Sequence, residues 1–419
     1  MPRLNGSFAP PGDKSISHRL ALMAILASGS CEVSNCLPGE DVQSSLKALQ
    51  CLGGQFETND FVHVTITGLS GKTAASATID CGNSGTTMRL ITGILAGRSG
   101  HFVLDGDDSL RKRPMERIAI PIRKMGGQVE TSDGKCPINI RGKGLNGIEY
   151  KLPVASAQLK SAVLLAGIQS SGKTLVIEPT VSRDHTERLL QQMGGIITRN
   201  GTTWTVEKSQ LTLPDQFYVP GDPSSASFFL CAAAILENSS VTAQSTLLNP
   251  TRIGFLDVLK RMNINIDIQS KNDNAEPVGD IQVSTSDHIR STIIETSEIP
   301  SLVDEVPILS LVATQAEGIT IFKGVRELRI KETDRLEAIS SQLNKMGANI
   351  EATEDTLIIH GPTPLKPVDH LESFGDHRIA MTLRLASLLT DTSPEIEEES
   401  CVRISYPDFH ETLNQLLTS

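Results

Sequence analysis

"GDKSISHRLALMAILASGSCEVSNCL", residues 12–37, starts with small polar residues and runs into an apolar stretch. It then turns through Gly29 and ends on alternating residues around Cys31 and Val33. The apolar run suits a helix and the alternation suits a strand. The same order returns at 82–106, 155–179, 221–246, 303–324 and 375–398. A second element falls between copies: an amphipathic helix, a glycine, then a strand, at 46–57, 120–131, 188–198, 258–268 and 339–352. The glycine serves as an αL C-cap, and Asn263 replaces it in the fourth case. The unit is roughly 70 residues long, with two helices and several strands. Its first helix is apolar on nearly every face and belongs in an interior, while the second lies nearer the surface. Six units of this α/β kind make one closed domain or two domains of three. "LPDQFYVPGDPSS" marks the best boundary, near residue 220.

The bulk composition agrees with a globular chain. Of 419 residues, 39% are hydrophobic and 21% charged, and the net charge is −11. Such a chain is a poor nucleic-acid binder unless its cations are concentrated in one place. The start, "MPRLNGSFAP", has no apolar signal-peptide core. The longest apolar stretch, "FFLCAAAIL", is too short to span a bilayer. Seven scattered cysteines without a CxxC read as reduced thiols, which points to a cytoplasmic protein.

The cations are concentrated. Lys14, His18 and Arg19 sit at a helix start, where each misplaced positive charge costs roughly 0.3–1 kcal/mol. A bound phosphate or carboxylate reverses that cost, because helix N-termini offer free N–H groups to anions. Ser15 and Ser17 cap or donate there. "GNSGTTMR" opens the second unit with glycines that admit a ligand close to the backbone, or with capping by Asn83 or Ser84. "ASAQLK" supplies Ser156 and Gln158, and "GDHRIAM" supplies Arg378. Asp222 before Pro223 reads as a plain N-cap. "LRKRPMER" reads first as a solvated basic run containing Arg113. In "RIKETDRLEAI", Lys331, Glu332, Asp334 and Arg335 alternate in sign: surface ion pairs, or an acid held among cations for proton transfer. Asp304 is an N-cap or a carboxylate aimed into a cleft. Together these point to small, highly anionic substrates.

"GIQSSGKT", residues 167–174, fits the Walker A pattern but follows a helix and opens a strand, the reverse of a P-loop. No HExxH, CxxC or GxSxG is present, so no metal site is expected.

In this order, "PGDKSISHR", "GNSGTTMR", "KRPM", "ASAQLKSAVLLAG", "RDHTE", "VPGDPSSA", "IKETDRL" and "DHRIAM" resemble the 5-enolpyruvylshikimate-3-phosphate synthase family, closer to its class II branch. The resemblance covers nearly the whole chain. It implies the enolpyruvyl transferase fold, an inside-out α/β barrel: two domains of three βαβαββ repeats around interior helices. The domains would be 13–220 and 1–12 plus 221–419, with the active site in the cleft between them. It implies transfer of the carboxyvinyl group of phosphoenolpyruvate to the 5-hydroxyl of shikimate 3-phosphate, with no metal or organic cofactor, in a cytoplasmic monomer without nucleic-acid or membrane partners. Lys14 would touch both substrates. Ser15, Arg19, Ser156, Ala157, Gln158, Ser182, Arg183, Asp304 and Lys331 would hold shikimate 3-phosphate. Asn83, Gly85, Arg113, Gln158, Arg335 and Arg378 would line the phosphoenolpyruvate site. Asp304 and Glu332 would be the acid–base pair, with Glu332 protonating the methylene and Asp304 taking the hydroxyl proton.

The chain departs from some relatives at "VRISYPDF", where Ile404 stands in place of a lysine. Gly85 is the small residue that leaves room for glyphosate in sensitive members. The nearest rival, UDP-N-acetylglucosamine enolpyruvyl transferase, carries a cysteine five residues before the Arg-Pro pair; here that residue is Asp108. A catalytically dead anion binder on the same scaffold is opposed by the retained Asp304, Glu332 and arginines. An RNA 3'-phosphate cyclase type of enzyme is opposed by the net charge and the scarcity of aromatics.

Overall fold

The computed structural model describes residues 2–272, 276–390 and 392–418. The chain forms two compact units, residues 12–219 and residues 1–11 with 220–419.

In the first unit the helices are α1 (Lys14–Met23), α2 (Glu40–Cys51), α3 (Gly85–Ala96), α4 (Glu116–Lys124), α5 (Ala157–Gly167) and α6 (His185–Gln192). As their all-round apolarity requires, α1, α3 and α5 are buried almost throughout. α3 and α5 pack closely because Gly93 has no side chain: a Cβ there would stand 2.1 Å from the carbonyl oxygen of Ala162. α2, α4 and α6 bury one face only.

In the second unit α7 (Pro223–Ile235), α9 (Val306–Thr314) and α11 (His377–Ser387) are the interior helices. α8 (Gly254–Arg261), α10 (Arg335–Lys345) and α12 (Phe409–Thr418) are the outer ones. The expected C-caps hold: Gly53, Gly126, Gly194, Gly347 and Asn263 all have positive φ, between 66° and 98°.

Five four-stranded sheets share one order, an outer strand paired in parallel followed by two antiparallel pairings. In most units the outer strand precedes the interior helix, as Ser76–Asp80 precedes α3 and Glu149–Lys151 precedes α5. Two strands are exchanged. Asn5–Phe8, just before α1, pairs with Ser240–Leu247 after α7. Gln216–Tyr218, just before α7, pairs with Ser30–Ser34 after α1. This exchange is why residues 1–11 belong with 220–419.

The sixth unit differs from the expected repeat. Its sheet is only the parallel pair His370–Glu372 and Glu395–Glu397. The following sequence lacks a period-two run, so no hairpin forms among the described residues. A 3-10 turn, Glu399–Ile404, leads to α12 instead. There Phe409 stacks on Phe229 at 5.2 Å, and Phe8 meets Phe229 edge-on at 5.2 Å. Aromatic burial of this kind contributes about 1.5–3 kcal/mol per side chain, and it fixes both chain ends to the second unit.

Candidate active site

The helix starts of the first unit carry the expected residues, with two corrections. α1 is capped by Asp13, whose Oδ1 accepts from the Ile16 N–H at 2.8 Å. Ser17 is fully engaged in structure: its hydroxyl donates to the Asp13 carbonyl and accepts from the Leu37 N–H. His18 is not a cation at neutral pH. Burial holds its pKa down to about 3, against the pull of Asp41, and its Nδ1 lies 2.8 Å from the Ser45 hydroxyl. The remaining cations are both engaged. Lys14 pairs with Asp41 in the first turn of α2, an end that favours acids. Arg19 is buried and donates to the Ser15 carbonyl, the Thr186 hydroxyl and the Ser161 hydroxyl at 2.7–2.9 Å.

α3 is capped by Ser84. Asn83 is free of that duty and accepts from Arg113, while its amide donates to Asp107 at 2.8 Å. Arg113 therefore leaves the solvated basic run, whereas Arg111 stays with Asp105 at the surface. Gln158 joins α5 to α3: Arg89 donates to its Oε1 at 2.7 Å, and its Nε2 donates to Thr86 at 2.9 Å. Gly85 stands against the same arginine, since a Cβ there would lie 2.7 Å from Arg89 Nη1. Ser156 caps α5, which begins at Ala157. Ser182 is buried and Arg183 half-buried just before α6.

In the second unit one arginine gathers three carboxylates. Arg335 opens α10, capped by Asp334, and only 2% of its side chain is exposed. Its Nε lies 2.7 Å from Asp376 Oδ2, its Nη2 2.6 Å from Glu332 Oε2, and its Nη1 3.3 Å from Asp304 Oδ1. Burial by itself would lower the guanidinium pKa; Asp376, then Glu332 and Asp304, reverse that and hold it raised. Arg378 reaches the Asp304 carbonyl at 3.3 Å and its carboxylate at 3.8 Å. The N-cap of α9 is Glu305, so Asp304 is the inward-turned carboxylate rather than a cap. Lys331 turns to Glu327 at 3.3 Å instead of joining this group. Asp222 does cap α7, but it also binds the buried Arg252 at 2.9 Å.

Sequence reading missed Asp376 and Arg89. Both stand in motifs it did single out, two residues before Arg378 and four after Gly85. It also missed His370, Glu372 and Glu397, whose ligand atoms lie within 4.8 Å of one another on the small parallel sheet. Cross-strand register brings these together, so no local spacing announces them. A cavity of about 350 Å³ lined by Leu26, Arg98, Ile168 and Gln169 lies at the other ends of α1, α3 and α5, apart from the residues above. The Walker-like stretch ends α5 and enters the strand Thr174–Ile177, as its context requires. No helix among the described residues is long and apolar enough to cross a membrane.

The fold is that of the enolpyruvyl transferases: the transferase NikO from Streptomyces tendae superposes with a TM-score of 0.80 at 17% identity, over 99% of this chain and 95% of that one. A solved EPSP synthase from Acinetobacter baumannii matches with a TM-score of 0.88 at 38% identity, over 99% and 96%. The signature of the family EPSP synthase (3-phosphoshikimate 1-carboxyvinyltransferase) matches residues 1–413, and the chain belongs to that family. Relatives of that name from Bacillus licheniformis and Bacillus subtilis are 44% and 43% identical, over 99% of this chain and 97% of each relative.

Proposed function

We infer that the chain is a 3-phosphoshikimate 1-carboxyvinyltransferase working through the side chains described above. It transfers the enolpyruvyl group of phosphoenolpyruvate to the 5-hydroxyl of shikimate 3-phosphate, giving 5-enolpyruvylshikimate 3-phosphate and phosphate. This is a step of the shikimate pathway to chorismate and the aromatic amino acids. The observation that carries the reading is the meeting of Asp304 and Glu332 on the buried guanidinium of Arg335, in a chain that belongs to this family.

In this reading Lys14, Arg113, Arg335 and Arg378 bind the phosphate and carboxylate of phosphoenolpyruvate, with Asn83, Gly85 and Gln158 beside them. Lys14, Ser15, Arg19, Ser156, Ala157, Gln158, Ser182, Arg183, Asp304 and Lys331 bind shikimate 3-phosphate. Glu332 protonates the methylene carbon, which creates positive character at C2. Asp304 takes the proton of the attacking hydroxyl. The C–O bond forms at C2; from the tetrahedral intermediate the methyl group returns a proton to Glu332 and phosphate leaves, which restores the carbon–carbon double bond. Protons move and one C–O bond replaces another, so no electron carrier is required. A substrate anion entering beside Arg335 competes with Glu332 and Asp304 for its N–H groups, which supplies a reason for both acids to be held there beforehand. We place the enzyme in the cytoplasm as a monomer, with glyphosate as an inhibitor competing with phosphoenolpyruvate.

The test is phosphate release from purified protein given phosphoenolpyruvate and either shikimate 3-phosphate or UDP-N-acetylglucosamine. Release with shikimate 3-phosphate alone is expected. Release with the sugar nucleotide alone would assign the rival acceptor, and release with neither, from folded protein, would mean a dead scaffold.

A further inference from the structure

Lys160 and Glu178 form an ion pair shut away from solvent: Nζ and Oε2 are 3.0 Å apart and both side chains are 0% exposed. Desolvating such a pair costs several kcal/mol per ion, and apolar residues of similar volume are often as stabilising. Stability alone is therefore a poor reason for it.

Its partners suggest another. The N–H of Ser182 donates to Glu178 Oε1 at 3.0 Å, and the carbonyl of Ser182 accepts from Lys160 Nζ at 3.2 Å. The two members of one ion pair thus grip the two sides of one residue. The Ser182 hydroxyl also donates to Glu178 Oε1. Lys160 stands on α5, which begins at Ala157 and carries Gln158, and Glu178 follows the strand Thr174–Ile177. The grip ties the irregular stretch before α6 to α5.

Two further side chains close round the ammonium. Glu187 of α6 lies 2.7 Å from Lys160 Nζ, and the Trp204 ring lies 6.0 Å from it. Burial pushes the Glu187 carboxyl up, against the pull of Lys160 and with help from Asp184.

We propose that Lys160 and Glu178 are positioning residues that clamp the Ser182 peptide and so aim Ser182 and Arg183 at the phosphate of shikimate 3-phosphate, without touching the substrate. The proposal rests on assigning Ser182 and Arg183 to that phosphate. On binding, the Ser182 hydroxyl turns its proton from Glu178 to the phosphate, while the peptide N–H stays on Glu178.

The experiment compares steady-state kinetics of two double variants. Lys160→Met with Glu178→Leu removes the clamp and both charges while keeping apolar volume. It is expected to melt cooperatively, to raise KM for shikimate 3-phosphate roughly 10- to 100-fold, and to leave KM for phosphoenolpyruvate within about threefold. Lys160→Met with Glu178→Gln keeps an acceptor for Ser182 and is expected to recover most of the loss. An unchanged KM for shikimate 3-phosphate in the Leu variant, equal losses for both substrates, or no recovery with Gln each overturns the proposal. If the Leu variant does not fold, Glu178→Gln alone serves: Ser182 is bound by Oε1 and Lys160 by Oε2, and an amide has an oxygen at only one of these places, so the same selective rise is expected, and its absence overturns the proposal. Ser182→Ala and Arg183→Ala separate the two levels. A raised KM in these with an unchanged Leu variant sinks only the clamp, whereas wild-type KM in both sinks the phosphate assignment beneath it.

Discussion

Asp376 holds Arg335 by its side chain and sets Arg378 by the backbone. Its Oδ2 lies 2.7 Å from Arg335 Nε, and its Oδ1 accepts from the Arg378 N–H at 2.9 Å. Asp376 is 0% exposed. One carboxylate thus fixes two arginines assigned to the same substrate. Asp376→Asn keeps the helix cap but turns a donor or a neutral oxygen toward Arg335. The expected result is a drop of about 100-fold in kcat/KM for phosphoenolpyruvate, from roughly 3 kcal/mol for breaking a buried pair. KM for shikimate 3-phosphate is expected to change little. Equal losses for both substrates would mean general disruption.

Glu332→Gln and Asp304→Asn are each expected to lower kcat by about 10²- to 10⁴-fold, the usual contribution of a positioned proton-transfer group. The two are separable in deuterated water. Loss of Glu332 should suppress deuterium entry into the methylene of phosphoenolpyruvate, and loss of Asp304 should spare it relative to turnover. The opposite pattern would exchange the two roles.

Gly85→Ala places a methyl group 2.7 Å from Arg89 Nη1. The end of Arg89 must shift, which disturbs the 2.7 Å hydrogen bond it donates to Gln158. Weaker inhibition by glyphosate and a raised KM for phosphoenolpyruvate are expected together. An inhibition constant identical to that of the parent protein would refute this reading.

His18 makes stability depend on pH. Its folded pKa of about 3 lies below the ordinary histidine value of 6.5 because the buried ring resists charging. The unfolded chain binds the proton first, so this contribution is complete above pH 6.5 and is lost as pH falls toward 3. Between these limits the loss is about 1.4 kcal/mol per pH unit. Urea unfolding at pH 7 and pH 5 should show a steeper decline for the parent protein than for His18→Gln; equal slopes would contradict it.

The repeat was legible because interior helices are apolar all round and outer helices end on a residue in the αL region, two signals that survive in a single sequence. α3, α7 and Gly347 are read directly from it. The basic helix starts were legible too, since misplaced charge is a local feature. Asp376 was not, because an aspartate before a helix is indistinguishable from an ordinary cap until its second partner is known. His18 was misjudged for a related reason: its charge state depends on burial, which local sequence does not reveal. The missing hairpin of the sixth unit was hidden by the similarity of its first helix to the other five.

The exchanged strands constrain how the chain is made. Residues 12–219 contain every strand of their own sheets and can assemble as soon as they leave the ribosome. The other unit cannot, because its edge strand, Asn5–Phe8, is synthesised before residues 12–219, whereas its partner Ser240–Leu247 arrives 235 residues later. Until then Asn5–Phe8 waits unpaired. A fragment starting at residue 220 would expose the bare edge of Ser240–Leu247, a template for association with other chains. Supplying residues 1–11 as a separate peptide would close it.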